Sequence, residues 1–481
     1  MATQSPNIDY QAELDVLKQI GPRLTGSEQH NQLIDHIETR LKNIGYDVHS
    51  DPFSFQYMPP FTSPATLKIG DESIHISSVF PYSGFTAPEG ITGKLVRLRG
   101  PLHRWSSARD QIAVVALTNP PVPFSALVSV WDGSAPWGPE NAPLLPATLL
   151  GASIAKARAA GVRAVVVAWD AASMSPAAAA NQYLPFTMAY QDLPVVFVAG
   201  TASARVLEAA ADETATLTLP SPGLRQASSR SVWAVAEGEE PGETVLVVTH
   251  TDGVNVVEEN GHVGVLQLAQ DARAKKPRRT HVFVFVSGHM RIPAVSEHGQ
   301  ATSKWLRDHP EWWRDERKAV AALVIEHLGA MEYVDDPARG TLERTGKPVP
   351  ELLYANTPQL AALLGTEWTG MEAAPGQTRI SRPSAYIQFG EGEPLAQAGI
   401  PNVALVTAPI YLLAAWEGDE GELIELAGLT RQIDSFRRLR EHIDELDTAA
   451  LGSPVAAGPI QYFTQGITLA LAAAKTFLGR Q

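Results

Sequence analysis

Runs of consecutive apolar residues alternate with helix-like segments over the second half of this chain. Residues 244–248 are rich in β-branched side chains, and residues 281–286 and 320–325 are apolar runs of similar length. Such runs are typical of strands buried on both faces of a sheet. The intervening segments 263–274 and 301–308 have the length and pattern of helices. The alternation predicts an α/β core with a doubly wound, mostly parallel sheet.

The segment from residue 90 to residue 222 has a different texture, rich in proline, alanine and glycine. It contains predicted strands of its own, such as 112–117, and predicted helices, such as 152–160. We therefore predict three parts: residues 1–89 as the N-terminal part of the core, residues 90–222 as an inserted lid domain, and residues 223–481 as the main, metal-bearing part of the core.

Composition and charge exclude several classes of function. The 481-residue chain has a net charge of -14, which disfavours nucleic-acid binding because phosphate neutralisation needs clustered lysine and arginine. It contains no cysteine, so any metal must be held by histidine and carboxylate side chains. No apolar stretch is long enough to span a bilayer, and no signal peptide is visible. We expect a cytoplasmic protein without a membrane partner, or a secreted one if a leader has been removed.

Histidine and carboxylate residues follow three successive predicted strands. Their side chains belong together, because the carboxyl ends of parallel strands meet at one edge of an open α/β sheet. A single histidine at a strand end is most often a structural residue, and a Glu-Glu pair before a helix is usually a capping feature. Three such strand ends at the same edge of the sheet instead favour a metal site. The candidate residues are His250, Asp252, Glu258, Glu259, His289, Glu326 and His327.

Three short motifs follow one another along the chain. They are the segment 20–27 (Ile-Gly-Pro-Arg-Leu-Thr-Gly-Ser), His250-Thr251-Asp252, and the segment 398–401 (Ala-Gly-Ile-Pro). In these motifs, and over nearly its whole length, the chain resembles the co-catalytic zinc aminopeptidases, a group that includes bacterial leucyl aminopeptidases and glutamate-carboxypeptidase-like enzymes. Residues 90–222 resemble the protease-associated domain that some members of the group carry.

The resemblance implies a set of metal ligands. Imidazole and carboxylate donors suit zinc, and alternatively iron or manganese. Asp252 is implied as a carboxylate that orients the ring of His250. Glu391 and Glu393 occupy a loop that borders the site in this family, where they would contact substrate. The implied ligands are His250, Glu259, His289 and Glu326.

The chain departs from the family's pattern at several positions. The family's bridging aspartate falls at Glu258 or Glu259, and we favour Glu259 as the ligand. The family's paired glutamates, a general base followed by a ligand, fall at Gly288 and His289, so the usual base is missing. The family's final histidine ligand is replaced by Leu412, which implies one metal ion rather than two.

These features predict a metal-dependent hydrolase of the aminopeptidase type, which cleaves an amide or peptide bond of a small substrate with a metal-activated water. Glu258 or His327 would accept the proton from that water. We favour Glu258, because strand alternation would direct His327 and Glu326 to opposite faces. Three alternatives stay open: aminoacyl cyclisation on the same fold, non-haem iron chemistry, and an inactive peptidase-like binding protein.

Overall fold

The structure is a computed structural model that describes residues 8–57, 64–100, 103–134, 137–186, 190–290, 300–369, 377–386 and 388–478. Within these ranges the strands form two large sheets and two short two-stranded pairs. In the same ranges, no helix combines the length and apolar character needed to cross a membrane.

The larger sheet has parallel strands at its centre and antiparallel strands toward its edges. In spatial order its strands are β1 (Val48–Tyr57), β13 (Arg225–Ala236), β15 (Arg279–Val286), β14 (Glu240–His250), β16 (Lys318–Ile325), β21 (Asn402–Val406), β19 (Glu351–Ala355), β20 (Thr378–Arg382) and β8 (Ser129–Val130). The four strands β15, β14, β16 and β21 run parallel to one another. Strands β13 and β19 join this central group in the antiparallel sense.

The second sheet is also mixed. In spatial order its strands are β3 (Glu72–Ile74), β2 (Thr66–Ile69), β12 (Thr214–Thr218), β5 (Ile91–Leu98), β6 (Ile112–Leu117), β10 (Ala164–Trp169), β11 (Val195–Val198) and β4 (Ser78–Val79). The four strands β5, β6, β10 and β11 are parallel. The two short pairs join β17 (Met331–Asp336) to β18 (Thr341–Pro348), and β7 (Pro121–Val122) to β9 (Glu140–Asn141).

Helices connect the strands and cover the sheets. They are α1 (Tyr10–Ile20), α2 (Glu28–Ile44), α3 (Leu144–Ala159), α4 (Pro176–Ala179), α5 (Thr201–Ala209), α6 (Gly261–Ala274), α7 (Ala301–Asp308), α8 (Pro358–Glu367), α9 (Gly392–Gln397), α10 (Leu426–Glu445) and α11 (Pro459–Leu478). Ser27 is the N-cap of α2, because its hydroxyl oxygen accepts a hydrogen bond from the backbone N–H of His30.

The central strands of the larger sheet are buried on both faces. On β14, Val245 and Val247 pack into a cluster with residues of α1, α2, α6 and α10. Leu246 and Val248 pack into a second cluster with residues of α7 and α9. Successive side chains of a strand point to opposite faces, so helices on both sides are needed to cover them. The chain therefore has the predicted doubly wound α/β architecture.

The second sheet does not begin where the sequence texture changes. Strands β2, β3 and β4 precede residue 90 and belong to this sheet, whereas β8 lies inside the expected insert and pairs with β20 of the larger sheet. Strand pairing joins residues far apart along the chain, such as Leu67 and Leu217, and local composition carries no signal for it. The division into three parts, and the protease-associated character of the insert, stay predictions.

The four central strands bring their carboxyl ends to one edge of the larger sheet. His250 is the last residue of β14, and Glu326 directly follows β16. His289 lies shortly after β15, and Thr407 directly follows β21. This edge is where open α/β sheets carry their sites.

Candidate metal centre

Three buried side chains meet at this edge. One donor atom from each of His250, Glu258 and His327 lies within 4.8 Å of the other two. His250 ends β14, Glu258 lies in the loop between β14 and α6, and His327 lies in the loop after β16. Among the described residues, this is the one group of histidines and carboxylates with such spacing. Two imidazoles and a carboxylate at this spacing fit a transition metal such as zinc.

His250 is oriented by the backbone two residues further on. Its Nδ1–H donates to the carbonyl oxygen of Asp252 at 3.0 Å, since a carbonyl can only accept. Its Nε2 is buried and has no hydrogen-bond partner in the described part of the chain. Burial, together with His289 and His327 nearby, holds the pKa of His250 well below its usual value. The ring is therefore neutral with a free nitrogen, which is the state that binds a metal.

His327 reaches the group because the backbone leaves the strand conformation at this residue. Its φ of 52° is left-handed, so the simple alternation of a strand does not continue from Glu326 to His327. Its Nδ1–H donates to the carbonyl oxygen of Thr407 at 2.8 Å, and its Nε2 has no partner among the described residues. Burial lowers the pKa of His327 to about 3, so this ring is also neutral.

Glu258 and Glu259 both approach the backbone of Gly253. A Cβ at Gly253 would lie 2.2 Å from Glu258 Oε2 and 1.9 Å from Glu259 Oε2, so the two carboxylates fill the space that any larger residue needs. Glu258 Oε2 also accepts a hydrogen bond from the backbone N–H of Val254 at 3.2 Å. Burial holds the pKa of Glu258 well above its usual value, and the neighbouring charge of Glu259 adds to the effect.

Glu259, the favoured ligand from the sequence, is paired with a buried arginine. Its Oε1 accepts a hydrogen bond from Arg23. The same guanidinium donates to the carbonyl oxygens of Leu17 at 2.9 Å and Asn255 at 2.8 Å. Burial raises the pKa of Glu259, and the positive charge of Arg23 opposes this shift. Arg23 lies in the motif at residues 20–27, so this motif fixes the loop that carries both glutamates.

Asp252 supports the loop after β15 with its carboxylate. Its Oδ1 accepts a hydrogen bond from the backbone N–H of His289 at 3.2 Å, and its Oδ2 accepts one from the backbone N–H of Met290 at 3.0 Å. The hydroxyl of Thr25 donates to the same Oδ2 at 2.6 Å. The sequence predicted that this carboxylate orients His250, but the group that faces His250 Nδ1 is the carbonyl of Asp252.

His289 lies beside the three-donor group and is bonded to Glu391. Its Nδ1 is 2.6 Å from Glu391 Oε1, and Glu391 Oε2 accepts a hydrogen bond from the backbone N–H of Thr302 at 2.8 Å. Burial lowers the pKa of His289, but the hydrogen bond and charge of Glu391 outweigh it and raise the pKa to about 9. His289 is thus held by Glu391 at Nδ1, and it lies outside the group of three donors within 4.8 Å of one another.

Glu326 is held at the same edge through one of its oxygens. Its Oε1 accepts a hydrogen bond from the backbone N–H of Glu391 at 2.8 Å, while its Oε2 is buried with no partner among the described residues. A Cβ at Gly390 would lie 2.1 Å from this Oε2, so the glycine makes room for the carboxylate. Burial raises the pKa of Glu326 to about 7, although the charge of His289 opposes the shift.

The two predicted substrate contacts occupy different settings. Glu391 is fully buried and bonded to His289, as above. Glu393 is half-buried at the start of α9 and accepts a hydrogen bond from the side-chain amide of Gln300 at 2.7 Å. Their roles toward a substrate stay predictions.

Asn255 is a structural residue of this site that the sequence pattern did not single out. Its side-chain amide nitrogen lies 3.1 Å from the carbonyl oxygen of Tyr411 and 2.9 Å from that of Leu412. Its Oδ1 accepts a hydrogen bond from the backbone N–H of Glu258 at 3.2 Å. Leu412 stands where the resemblance places a metal histidine, and its loop is thus fastened to the Glu258 loop. This link joins residues far apart in sequence, so no local motif predicts it.

Comparison with known proteins gives matches at the level of structure. No protein-family model and no curated protein sequence matches this chain. A peptidase M28 precursor from Shewanella amazonensis SB2B is 16% identical, with a TM-score of 0.63, and the match covers 95% of this chain and 96% of that one. An aminopeptidase from Aneurinibacillus sp. strain AM-1 is 16% identical, with a TM-score of 0.60 over 93% of this chain and 95% of that one.

A zinc aminopeptidase from Bacillus subtilis is 14% identical, with a TM-score of 0.60 over 94% of this chain and 99% of that one. All three likenesses extend over both large sheets, because they cover more than nine-tenths of the chain. At these identities the three likenesses establish the architecture alone, and the chemistry depends on the side chains at the site.

Proposed function

We propose that this protein, which has a zinc-aminopeptidase-like fold, is a metal-dependent hydrolase that cleaves the amide bond of a small peptide or aminoacyl substrate. The residues that would hold a single zinc ion are His250, through Nε2, Glu258, through its carboxylate, and His327, through Nε2. This ligand set differs from the one that the sequence favoured, which used Glu259, His289 and Glu326 beside His250.

The proposal rests on two features of this site. Three donor groups converge, and a buried ring nitrogen of each histidine has no hydrogen-bond partner among the described residues. In both histidines the Nδ1–H donates to a backbone carbonyl. The buried Nε2 of each has no hydrogen-bond partner within the described residues. An unpaired buried polar atom costs about 1–3 kcal/mol, so two of them beside a carboxylate indicate a missing common partner. A backbone carbonyl behind each ring is also the usual arrangement for histidines that bind a metal.

Three protein ligands suit a catalytic zinc rather than a structural one. Structural zinc sites have four protein ligands, whereas catalytic sites have three and keep one position open. When bound, the zinc would supply Lewis acidity toward water and toward the substrate carbonyl. The nature of the three donors therefore favours hydrolysis over a purely structural role.

Two further groups of this chain supply the remaining chemistry. His289, whose ring lies against that of His250 and is hydrogen-bonded to Glu391, would stabilise the negative charge that develops on a carbonyl oxygen under attack. Glu326 has a free, buried Oε2 and a pKa of about 7. A carboxylate with that pKa can hold a proton and release it near neutral pH. We assign Glu326 as the proton acceptor. Glu258 and His327, the acceptors that the sequence suggested, would instead bind the zinc.

The test combines metal analysis with an activity assay. The purified chain should contain about one equivalent of zinc by inductively coupled plasma analysis, and should hydrolyse L-leucine p-nitroanilide. Treatment with 1,10-phenanthroline should remove both zinc and activity, and added zinc should restore them. The non-chelating isomer 1,7-phenanthroline serves as the control. Activity that survives complete removal of zinc, or that needs two equivalents, would refute the proposal.

Iron chemistry is the second candidate, because the same donor set also suits iron(II). Two histidines and one carboxylate with open positions also make up the facial triad of non-haem iron(II) oxygenases. Anaerobic reconstitution with iron(II) or zinc, followed by the same hydrolysis assay, separates the two. Tighter retention of iron without hydrolysis would favour the second candidate.

A further inference from the structure

A segment between β10 and β11 of the second sheet is hydrogen-bonded to a loop near the metal group. Residues 181–186 run alongside the loop 410–415. Gln182 forms a β-bridge with Ala414, and the backbone N–H of Tyr183 donates to the carbonyl of Leu413 at 2.6 Å. The side chain of Gln182 donates to the carbonyl of Ile410 at 3.1 Å. The segment is thus positioned by backbone and side-chain hydrogen bonds together.

The loop 410–415 is in turn joined to the metal group. Asn255 donates to the carbonyl groups of Leu412 and Ala414, at 2.9 and 3.0 Å, and accepts from the N–H of Glu258. The position of segment 181–186 is therefore fixed relative to Glu258 through one intermediate loop. A side chain on this segment has a defined place beside the metal group.

Three aromatic side chains lie near His289: one follows β4, and two belong to segment 181–186. Phe186 stacks on the ring of His289, with centroids 5.7 Å apart and planes inclined by 22°. Tyr82 and Tyr183 meet edge to face, with ring centroids 6.2 Å apart. The Tyr82 hydroxyl donates to the carbonyl of Met290 at 3.2 Å.

These three residues, Tyr82, Tyr183 and Phe186, are called the aromatic wall below. The hydroxyl of Tyr82 is engaged, because it donates to the carbonyl of Met290. All three side chains are partly exposed. Exposed ring surface beside buried catalytic groups is the usual composition of a small-molecule pocket, which is mostly apolar with a few placed polar groups.

We propose that the aromatic wall binds a planar, apolar side chain of the substrate and sets the preference for the residue next to the cleaved amide bond. The chain around β10 and β11 would then cover the site, as the sequence predicted for residues 90–222, and Phe186 would make the main contact with the substrate. The catalytic part of this inference rests on the proposed function, whereas the binding part rests on the wall alone. Stacked or edge-to-face aromatic pairs are favoured beyond simple area burial, so planar side chains gain most.

The test compares two substrates and three variants of the zinc-loaded protein. With Phe186→Ala, KM should rise roughly 2- to 10-fold more for L-phenylalanine p-nitroanilide than for L-alanine p-nitroanilide, with kcat and zinc content close to wild type. Phe186→Tyr should restore the wild-type preference because it keeps the ring. Phe53→Ala, which removes a partly exposed phenylalanine from edge strand β1, is the matched control and should leave both KM values unchanged.

An equal rise of KM for both substrates, or loss of zinc in Phe186→Ala, would overturn the inference. If the wild-type protein hydrolyses neither compound, the proposed function fails, and the wall is then tested by calorimetric titration with L-phenylalaninamide and L-alaninamide. Tighter binding of the phenylalanine compound that disappears in Phe186→Ala would sustain the wall. Equal binding of both compounds by wild type would refute it.

Discussion

His289 lies flat against His250, with ring centroids 4.0 Å apart and planes inclined by 14°, yet the two rings have different partners at Nδ1. His250 Nδ1 faces a backbone carbonyl, and burial keeps the ring neutral. His289 Nδ1 faces the carboxylate of Glu391, which overcomes the effect of burial and raises the pKa to about 9. The carboxylate partner at Nδ1 therefore separates the pKa of His289 from that of His250.

The ligand set leads to the first prediction. His250→Ala and His327→Ala should each lower zinc affinity by more than the ~10- to 100-fold typical of residues that only support a ligand. The measurement is a competition titration against a chromogenic chelator. His36→Ala is the control, because His36 is partly exposed and bonded to Glu13 instead. Full zinc retention in either ligand variant would remove that residue from the set.

The ion pair between Arg23 and Glu259 leads to the second prediction. Glu259→Gln leaves a buried guanidinium without its charged partner, so the free energy of unfolding should fall by about 3–5 kcal/mol. Zinc affinity should fall much less than in His250→Ala, because Glu259 is not a ligand in the proposed set and only helps to fix the loop that carries Glu258. Replacing both partners, as Arg23→Met with Glu259→Leu, should recover much of the lost stability.

Urea unfolding and zinc titration of the same samples distinguish the two roles of Glu259. If Glu259→Gln loses zinc at unchanged stability, the ligand set favoured by the sequence is the correct one.

The free oxygen of Glu326 leads to the third prediction. Glu326→Gln should keep zinc but lower kcat by about 10²- to 10⁴-fold, the usual contribution of a general base. The control is Glu208→Gln, since Glu208 is exposed on α5 of the second sheet. Steady-state kinetics with a p-nitroanilide and zinc analysis of the same preparations check the result. A variant with wild-type kcat would leave the proton acceptor to another group.

Close packing at Gly253 leads to the fourth prediction. In Gly253→Ala the new methyl group would meet the carboxylates of Glu258 and Glu259, so one or both must move. We expect weaker zinc binding and a loss of about 1–3 kcal/mol of stability from overpacking. Gly242→Ala, on the preceding strand β14, is the control, because nothing lies within 4 Å of its Cβ position. Equal behaviour of the two variants would contradict the proposed packing.

A histidine away from the metal group leads to the fifth prediction. His309 Nε2 is 2.8 Å from Asp51 Oδ2; burial lowers the pKa of His309, but the bonds to Asp51 and Glu311 outweigh it and raise the pKa. A raised pKa contributes stability below the unfolded value of about 6.5, and the contribution is lost as the pH rises through the folded value.

The difference in unfolding free energy between wild type and Asp51→Asn should therefore be largest near pH ~5.5, about 1 kcal/mol or less for a partly exposed pair. It should shrink as the pH is raised above the folded pKa. Urea unfolding at a series of pH values checks this, and a difference that grows with pH would contradict the assignment.

The sequence was enough to locate the candidate site but not to assign its roles. His250, Glu258 and His327 all follow strands whose burial is visible as apolar runs, and parallel strands end at one edge. The choice between Glu258 and Glu259 depends on Arg23, which lies far away along the chain and draws Glu259 into an ion pair. His327 joins the group through a left-handed backbone turn, which a strand pattern does not predict.

The sequence by itself also determined the doubly wound core, because strands buried on both faces are read as nearly continuous apolar runs. Which strands pair was decided only in the tertiary structure, where β2 joins β12 and β8 joins β20. Pairing uses backbone hydrogen bonds, which are chemically alike in every residue, so partners that are distant along the chain leave little trace in side-chain composition. The same holds for the contact of Phe186 with His289, which exists only once the two sheets are folded against each other.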